Sequence, residues 1–384
     1  MTANTRNRGI LGSQYFLYFG VMGMHLPFFN LYCYELGFSG LQIGTLSATR
    51  SVVLILFSLF WSLLADRFQT RRGIYILCNF FSAALWALFL LTANYWWMLV
   101  ITIFHGMFFA PLIAFLEAFA MEVLGRDKKR YGRMRAWGSV AFIVVVLSLG
   151  RAIDAYGVKI ILSLILAGSW VQALVALGFP RSTPRDRQDS ARWRALLTPR
   201  VTLFLFCAFL MLLSHGAYYT FFSIHLSTLG YDSFFIGISW AVAVAAEIFA
   251  MLFSERLFKR LRYETVLIIS FAVAVLRWAG LSGAESAAAL LALQATHAIT
   301  YGAFHMASIL YIDALAPPAA KTLGQAANNA VTYGLGLMTG FFLSGALYHH
   351  IGARGLFAIS SGVALLGGIV FAGYSALQKN ATAN

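Results

Sequence analysis

Twelve apolar segments, each long enough to cross a bilayer, take up most of this chain. They run at roughly 10–33, 41–64, 74–93, 96–121, 135–154 and 159–180. After a polar stretch they resume at 200–227, 233–253, 265–282, 286–312, 322–347 and 355–376. A hydrocarbon core about 30 Å thick needs about 20 helical residues, so each segment predicts one spanning helix. The chain is 60% hydrophobic and 11% charged, too few charges to cover a water-facing surface. The expected fold class is therefore all-α integral membrane, with twelve transmembrane helices. The first segment is too long for a cleaved signal peptide, and no small-residue cleavage site follows it. Cys33, Cys78 and Cys207 are scattered at no metal or redox spacing, so neither a disulfide nor a metal site is expected.

A net charge of +14 in a soluble chain would point to nucleic acid. Here the basic residues gather in alternate loops instead. Arg6 and Arg8 precede the first segment, Arg67, Arg71 and Arg72 follow the second, and Arg126, Lys128, Lys129 and Arg130 follow the fourth. Arg181, Arg185, Arg187, Arg192 and Arg194 lie in the central stretch, and Arg256, Lys259, Arg260 and Arg262 follow the eighth segment. The alternate loops, on the opposite side, hold only Arg151, Lys159 and Arg354. By the positive-inside rule both termini are cytoplasmic, in a multi-pass protein of the cell (inner) membrane. The expected partners are the lipid bilayer and a small-molecule substrate, not nucleic acid.

The two halves of the chain repeat one another. Phe28-Phe29, Leu36-Gly37-Phe38 and Ile43-Gly44 recur as Phe221-Phe222, Leu229-Gly230-Tyr231 and Ile236-Gly237, always 193 residues on. This predicts two pseudo-symmetric six-helix halves, 1–180 and 200–384, joined by a polar, basic cytoplasmic linker at 181–199. Parallel repeats of this kind build transporters whose substrate site lies near the bilayer midplane.

Glu117, Arg135, Glu247, Arg277 and His297 interrupt the apolar segments. A charge at the bilayer centre costs roughly 2.5–3.5 kcal/mol on insertion scales, and such residues mark substrate and ion paths. Glu117 and Arg135 end and begin antiparallel neighbours at similar depth, so they either pair or snorkel separately to the interface. Arg277 or Arg135 suits a bidentate clamp on a carboxylate, while Phe142 and Trp137 suit either a substrate ring or ordinary packing. His297 and His305, eight residues apart, share nearly one helix face. Histidine titrates near physiological pH and suits proton relay. Glu247 is the candidate carrier of a coupling proton, because a carboxylate gains or loses its proton as a cation such as Arg277 leaves or approaches. Glu117 is the alternative carrier. Arg50, in the second segment, either faces a cavity or pairs structurally.

The loop from Ser62 to Arg72, with Asp66, Arg67, Arg71 and Arg72, resembles the signature gating loop of the major facilitator superfamily. Ser62 and Gln69 stand where that motif carries glycine. Glu117-Ala118-Phe119, then Tyr131-Gly132-Arg133-Met134-Arg135 and Gly138, are similar to the fourth and fifth helices of the oligosaccharide:proton symporters. In that family the matching glutamate and arginine bind sugar, and Glu247, Arg277 and His297 fall at its later functional positions. Thr300 replaces a glutamate from which the family's proton leaves, Gln294 replaces a lysine, and Phe142 replaces a sugar-stacking tryptophan. A closer resemblance is to the phenylpropionate permease branch, carried by Gln294, His297, Thr300, Gly302 and His305 and by Tyr131 to Ser139.

The resemblance implies the major facilitator fold and alternating access. The expected function is proton-coupled symport of a small organic solute, foremost an aromatic carboxylate such as 3-phenylpropionate. A sugar or nucleoside symporter, or an efflux transporter, of the same fold is the alternative. The expected substrate-binding residues are Glu117, Arg135, Phe142, Arg277 and His297, and the proton-coupling residues are Glu247, His297 and Glu117. No cofactor is expected beyond the proton, and the chain is expected to work as a monomer. Nothing suggests an enzyme: the chain has no His-Glu-x-x-His, Gly-x-Ser-x-Gly or Gly-x-x-x-x-Gly-Lys.

Overall fold

The structure, a computed structural model, describes residues 3–125, 131–180, 196 and 198–383. The basic loop from Arg126 to Arg130 and almost all of the expected linker, with its five arginines, lie outside the described residues. Among the described residues all regular structure is helical. The helices are α1 (Ala3–Glu35), α2 (Gly40–Phe68), α3 (Arg71–Trp86), α4 (Tyr95–Phe109), α5 (Leu112–Leu124), α6 (Tyr131–Tyr156) and α7 (Ile160–Ala176). They continue as α8 (Pro199–Ser214), α9 (Gly216–Thr228), α10 (Ser233–Arg260), α11 (Tyr263–Gly283) and α12 (Ala287–Ala295). The last are α13 (Phe304–Leu315), α14 (Lys321–Asn328) and α15 (Leu337–Ala383).

Every apolar segment falls on helix, but five are not single α-helices, the one at 74–93 passing from α3 into a 3-10 turn at Ala87–Leu90. The segment at 96–121 breaks into α4 and α5 at Pro111, which has no N–H and whose ring clashes with the preceding turn. The one at 200–227 breaks at His215, whose N–H caps α8 by reaching back to Leu212 and Leu213. Two others carry π-helical turns, Ala298–Ala303 between α12 and α13 and Asn329–Gly336 between α14 and α15. Such turns are rare and concentrate at functional sites. The last two segments share α15, bent at Gly352, whose φ of 62° lies in the left-handed region open to glycine.

Nine helical stretches among the described residues are long and apolar enough to span a bilayer, and α7 is a shorter apolar helix. Their outer faces fit lipid. On α2, Leu56, Leu59, Phe60 and Leu63 follow one another at i, i+3, i+4 and i+7 and are all exposed. In water that stripe would be a liability; against lipid tails it is the expected face.

The described chain forms two compact units. One holds the described residues of Met1–Phe38, Thr49–Arg187 and Leu226–Ala241; the other holds those of Ser39–Ala48, Gln188–His225 and Val242–Asn384. The start of α2 thus belongs with the second unit, and the start of α10 with the first.

In the first unit α1 packs along α6 and α7. Its core gathers Tyr15, Tyr18, Tyr75, Phe115 and Phe119 with Phe179. A buried polar chain ties three helices together inside it. Gln14 donates to the Gln172 carbonyl at 2.7 Å, Tyr75 Oη donates to Gln14 at 3.3 Å, and Gln172 donates to Asn79 at 3.0 Å. Such a network is stable only when its members are satisfied, and it fixes one register of α1, α3 and α7. At the other end of α10's first turn, Asp154 of α6 accepts N–H groups from Ser233 at 2.8 Å and Phe234 at 3.0 Å. Gly150 and Gly237 let the two backbones meet there: a Cβ on Gly150 would lie 2.5 Å from the Ser233 oxygen.

In the second unit α11 and α8 pack on α15. Gly216 and Gly340 meet backbone to backbone, with no room for a side chain on either. Tyr348 of α15 stacks on Phe221 at 4.2 Å. The 193-residue repeat is visible in the backbone: Gly37 and Gly230, matched residues after α1 and α9, share φ values of 82° and 87°.

Candidate functional site

Arg277, on α11, is wholly buried in the second unit, and its donors spread over neighbouring elements. Nη1 donates to His297 Nδ1 at 2.7 Å and to Thr300 Oγ1 at 3.0 Å, and Nη2 donates to Gln294 Oε1 at 3.1 Å. The guanidinium carbon lies 4.5 Å from the centre of the Tyr218 ring, and Tyr218 Oη also donates to Gln294 Oε1, at 2.9 Å. No carboxylate pairs with Arg277 among the described residues. Three buried nitrogens of the cluster have no hydrogen-bond partner there: Arg277 Nε, Gln294 Nε2 and His215 Nε2. A buried polar atom left unmatched costs about 1–3 kcal/mol, so these atoms mark where a ligand or a rearrangement is favoured.

The contacts fix two histidine tautomers. An arginine only donates, so His297 Nδ1 must accept, and the ring proton sits on Nε2. His215 Nδ1 meets the Met211 carbonyl at 2.8 Å, so it must donate, and its unmatched Nε2 is an acceptor in the neutral ring. The rings then form a ladder. His297 stacks on Tyr301 at 5.0 Å, Tyr301 on His305 at 6.1 Å, and His305 Nδ1 bonds the Tyr333 hydroxyl at 2.5 Å. Thr300 and Tyr301 lie in the first π-helical turn and Tyr333 in the second, so the two irregular turns flank the site.

Glu247 of α10 is half-buried in the same unit, where Gly302 of the first π-helical turn approaches it: a Cβ on Gly302 would lie 3.5 Å from Glu247 Cα and Cγ. The Arg277–Glu247 ion pair considered from the sequence is not among the salt bridges of the described residues; Nη1 and Nη2 of Arg277 go to His297, Thr300 and Gln294 instead.

In the first unit Glu117 and Arg135 are also not in salt-bridge contact. Tyr131 Oη donates to Glu117 at 3.4 Å, while the Arg135 guanidinium lies over the Phe19 ring at 3.7 Å. Gly138 makes the difference, leaving room for Phe19 and for Arg135 Nη1 where a Cβ would clash. Phe142 is 5% exposed, and its backbone packs against Gly23 of α1. Arg50, half-buried on α2, donates to His25 Nδ1 at 2.7 Å.

The turn between α2 and α3 closes although Gln69 stands where the resembled motif carries glycine. Arg71 bridges Asp66 at 2.6 Å, and Gln69 takes φ 52° while its side chain donates to the Asp66 carbonyl at 2.7 Å. Arg72 turns away to the end of α7, donating to the Phe179 and Leu177 carbonyls at 2.7 and 2.8 Å. That caps orphan carbonyls with a cation, as a helix C-terminus favours. Arg67 is exposed, near the Phe68 ring.

Of the residues singled out from the sequence, the structure thus joins Arg277 with His297 and Asp66 with Arg71. Sequence reasoning passed over Tyr218, Tyr333 and the pairing of His25 with Arg50, which carry no spacing signal. Among the described residues no cluster of three His, Cys, Asp or Glu is placed to hold a metal ion.

Comparison with known proteins agrees with this architecture. The MFS_1 like family model matches residues 10–359. A "Probable 3-phenylpropionic acid transporter" of Escherichia coli (strain K12) is 32% identical over 373 residues, covering 92% of this chain and 94% of the relative. The "Maltose permease" of Geobacillus stearothermophilus is 24% identical over 350 residues, covering 87% and 88%. The crystal structure of the nucleoside transporter NupG superposes with a TM-score of 0.82 at 18% identity, covering 97% of this chain and 99% of that one.

Proposed function

We propose, from the premise that the chain belongs to the MFS_1 like family of major facilitator secondary transporters, that its substrate is a small organic carboxylate, foremost an aromatic one such as 3-phenylpropionate. The observation that carries this is Arg277. A guanidinium wholly buried in a membrane protein, with neutral neighbours and an unmatched N–H, is a cation awaiting an anion. Gln294 Nε2 adds a second donor to the same cluster. A carboxylate accepts from both, and the guanidinium fork matches its geometry. The 32% identical relative bears a name of the same chemistry.

Transport is coupled to protons in this reading. His297 cannot take a proton on Nδ1 while Arg277 donates to it, so protonation there and the Arg277 contact exclude each other. Glu247 carries the coupling proton, with Glu117 as the other acid on the path. The halves 1–180 and 200–384, joined at 181–199, alternate access to the site, and Asp66, Arg67, Arg71 and Arg72 form the cytoplasmic gating loop. The chain works as a monomer in the inner membrane with both termini cytoplasmic. Glu117, Arg135 and Phe142 contribute to substrate binding from the first unit.

A sugar or nucleoside as substrate is the second reading. The neutral hydroxyl and amide set of Tyr218, Gln294 and Thr300 favours it, as do relatives named for maltose and, at 23% identity, for nucleosides. Competition separates the two. Purified chain in proteoliposomes takes up labelled 3-phenylpropionate, and excess unlabelled benzoate blocks uptake while uridine and maltose do not. Block by uridine or maltose, with no response to carboxylates, would reverse the assignment.

A further inference from the structure

The first unit contains a second arginine within an apolar helix, and nothing in the preceding account uses its charge. Arg50 lies on α2, where Nη1 donates to His25 Nδ1 at 2.7 Å and Nη2 reaches the Met22 thioether at 3.4 Å. Neither neighbour neutralises it. Because arginine only donates, His25 Nδ1 accepts and the ring is neutral, and a thioether is a weak acceptor. No carboxylate pairs with Arg50 among the described residues.

The pair is held rigidly. The His25 ring stacks on Phe29 at 4.6 Å and meets the Trp86 ring at 5.5 Å. Trp86 is itself locked, 1% exposed and donating from Nε1 to the Leu162 carbonyl at 2.9 Å. His105 packs on the same indole at 5.1 Å. A half-buried guanidinium on so fixed a platform loses little entropy when it binds a ligand.

Two features separate Arg50 from an arginine that merely fills space. Unlike Arg277 it is only half-buried, so its remaining N–H groups stay open to a ligand. Its arrangement also parallels that of the second unit, where Arg277 makes the same 2.7 Å contact to a histidine Nδ1. The 193-residue offset carries His25 onto Tyr218, and each of these contacts an arginine of its own unit.

We infer that Arg50, presented by His25, is a second carboxylate-binding residue of this transporter: in addition to Arg277, it offers a guanidinium to the anionic group of an organic acid and so determines specificity. The inference rests on the carboxylate reading above and adds a residue that the sequence left between a cavity role and a structural one. The open fork of the guanidinium pairs with both oxygens of a carboxylate, and it has nothing of comparable strength to offer the neutral amide of the same acid.

The test is binding to the full chain in lipid nanodiscs, by calorimetry, of 3-phenylpropionate, benzoate and their neutral amides. Arg50→Gln should weaken carboxylate binding by roughly 10- to 100-fold, the scale of a lost charged hydrogen-bond pair, and leave the amides nearly unchanged. Arg50→Lys should recover part of the loss. An unchanged carboxylate-to-amide ratio in Arg50→Gln, including equal weakening of both, would overturn the inference. A second measurement needs no variant. Phenylglyoxal labelling of Arg50 in the wild type, read by mass spectrometry, should be slowed by the carboxylates and not by the amides. If the wild type binds neither aromatic acid, the substrate assignment fails by itself. The labelling is then repeated with acetate, chloride and sulfate. Labelling of Arg50 that no anion slows overturns the Arg50 inference, whatever the fate of the substrate assignment.

Discussion

Arg277 donates to Nδ1 of His297 across 2.7 Å, and that one contact fixes the protonation of both side chains. The guanidinium keeps its charge, and the imidazole keeps its proton on Nε2. A replacement at position 297 is therefore tolerated according to whether it presents an acceptor. His297→Asn should keep uptake within several-fold of wild type. His297→Leu leaves a buried guanidinium N–H unmatched and should cost about 1–3 kcal/mol of stability, measured by thermal unfolding in detergent. Equal stability of the two variants would contradict the tautomer assignment.

Gln69 occupies the left-handed turn of the loop between α2 and α3, where a side chain is strained. Gln69→Gly relieves that strain, worth about 1–2 kcal/mol, and gives up one exposed hydrogen bond to the Asp66 carbonyl. The melting temperature should stay level or rise slightly. Gln69→Val, β-branched and unable to make the bond, should lower it.

Asp154 holds the first turn of α10 through two N–H groups. Removing such a cap costs about 0.5–2 kcal/mol. In Asp154→Ala, hydrogen exchange at Ser233 and Phe234 should speed up while exchange deep in α6 stays slow. Unchanged exchange at those two amides would show that the cap contributes nothing.

Gly216 meets Gly340 with no space for a methyl group, whereas nothing lies near the place a Cβ would take on Gly73. Gly216→Ala should destabilise by about 1–3 kcal/mol through overpacking. Gly73→Ala, in α3, should be neutral or stabilise by about 0.5–1 kcal/mol. The two thermal shifts, measured side by side, separate contact from helix propensity.

The helices were legible because bilayer thickness imposes a length on apolar sequence, which composition displays directly. The break at Pro111 leaves a trace in the sequence; the break at His215 and the two π-helical turns leave none, since a shifted backbone hydrogen bond changes no residue type. Arg277 and His297 were legible as polar residues in apolar surroundings, and they do meet. Glu117 and Arg135 were equally visible but do not pair, because Gly138 opens a place for Phe19 beneath the guanidinium. Depth along a helix predicts proximity, not which neighbour captures a charge. Tyr218 and the pairing of His25 with Arg50 were hidden for a related reason: the partners lie on other helices, and spacing along one helix says nothing about them.

The central claim, carboxylate transport driven by protons through Glu247, is tested most directly by uptake of radiolabelled 3-phenylpropionate into proteoliposomes. Wild type and Glu247→Gln are compared with and without an inward proton gradient, alongside counterflow exchange. The account predicts gradient-stimulated uptake in the wild type, lost in Glu247→Gln while counterflow persists. Gradient-driven uptake by Glu247→Gln at the wild-type rate would contradict it.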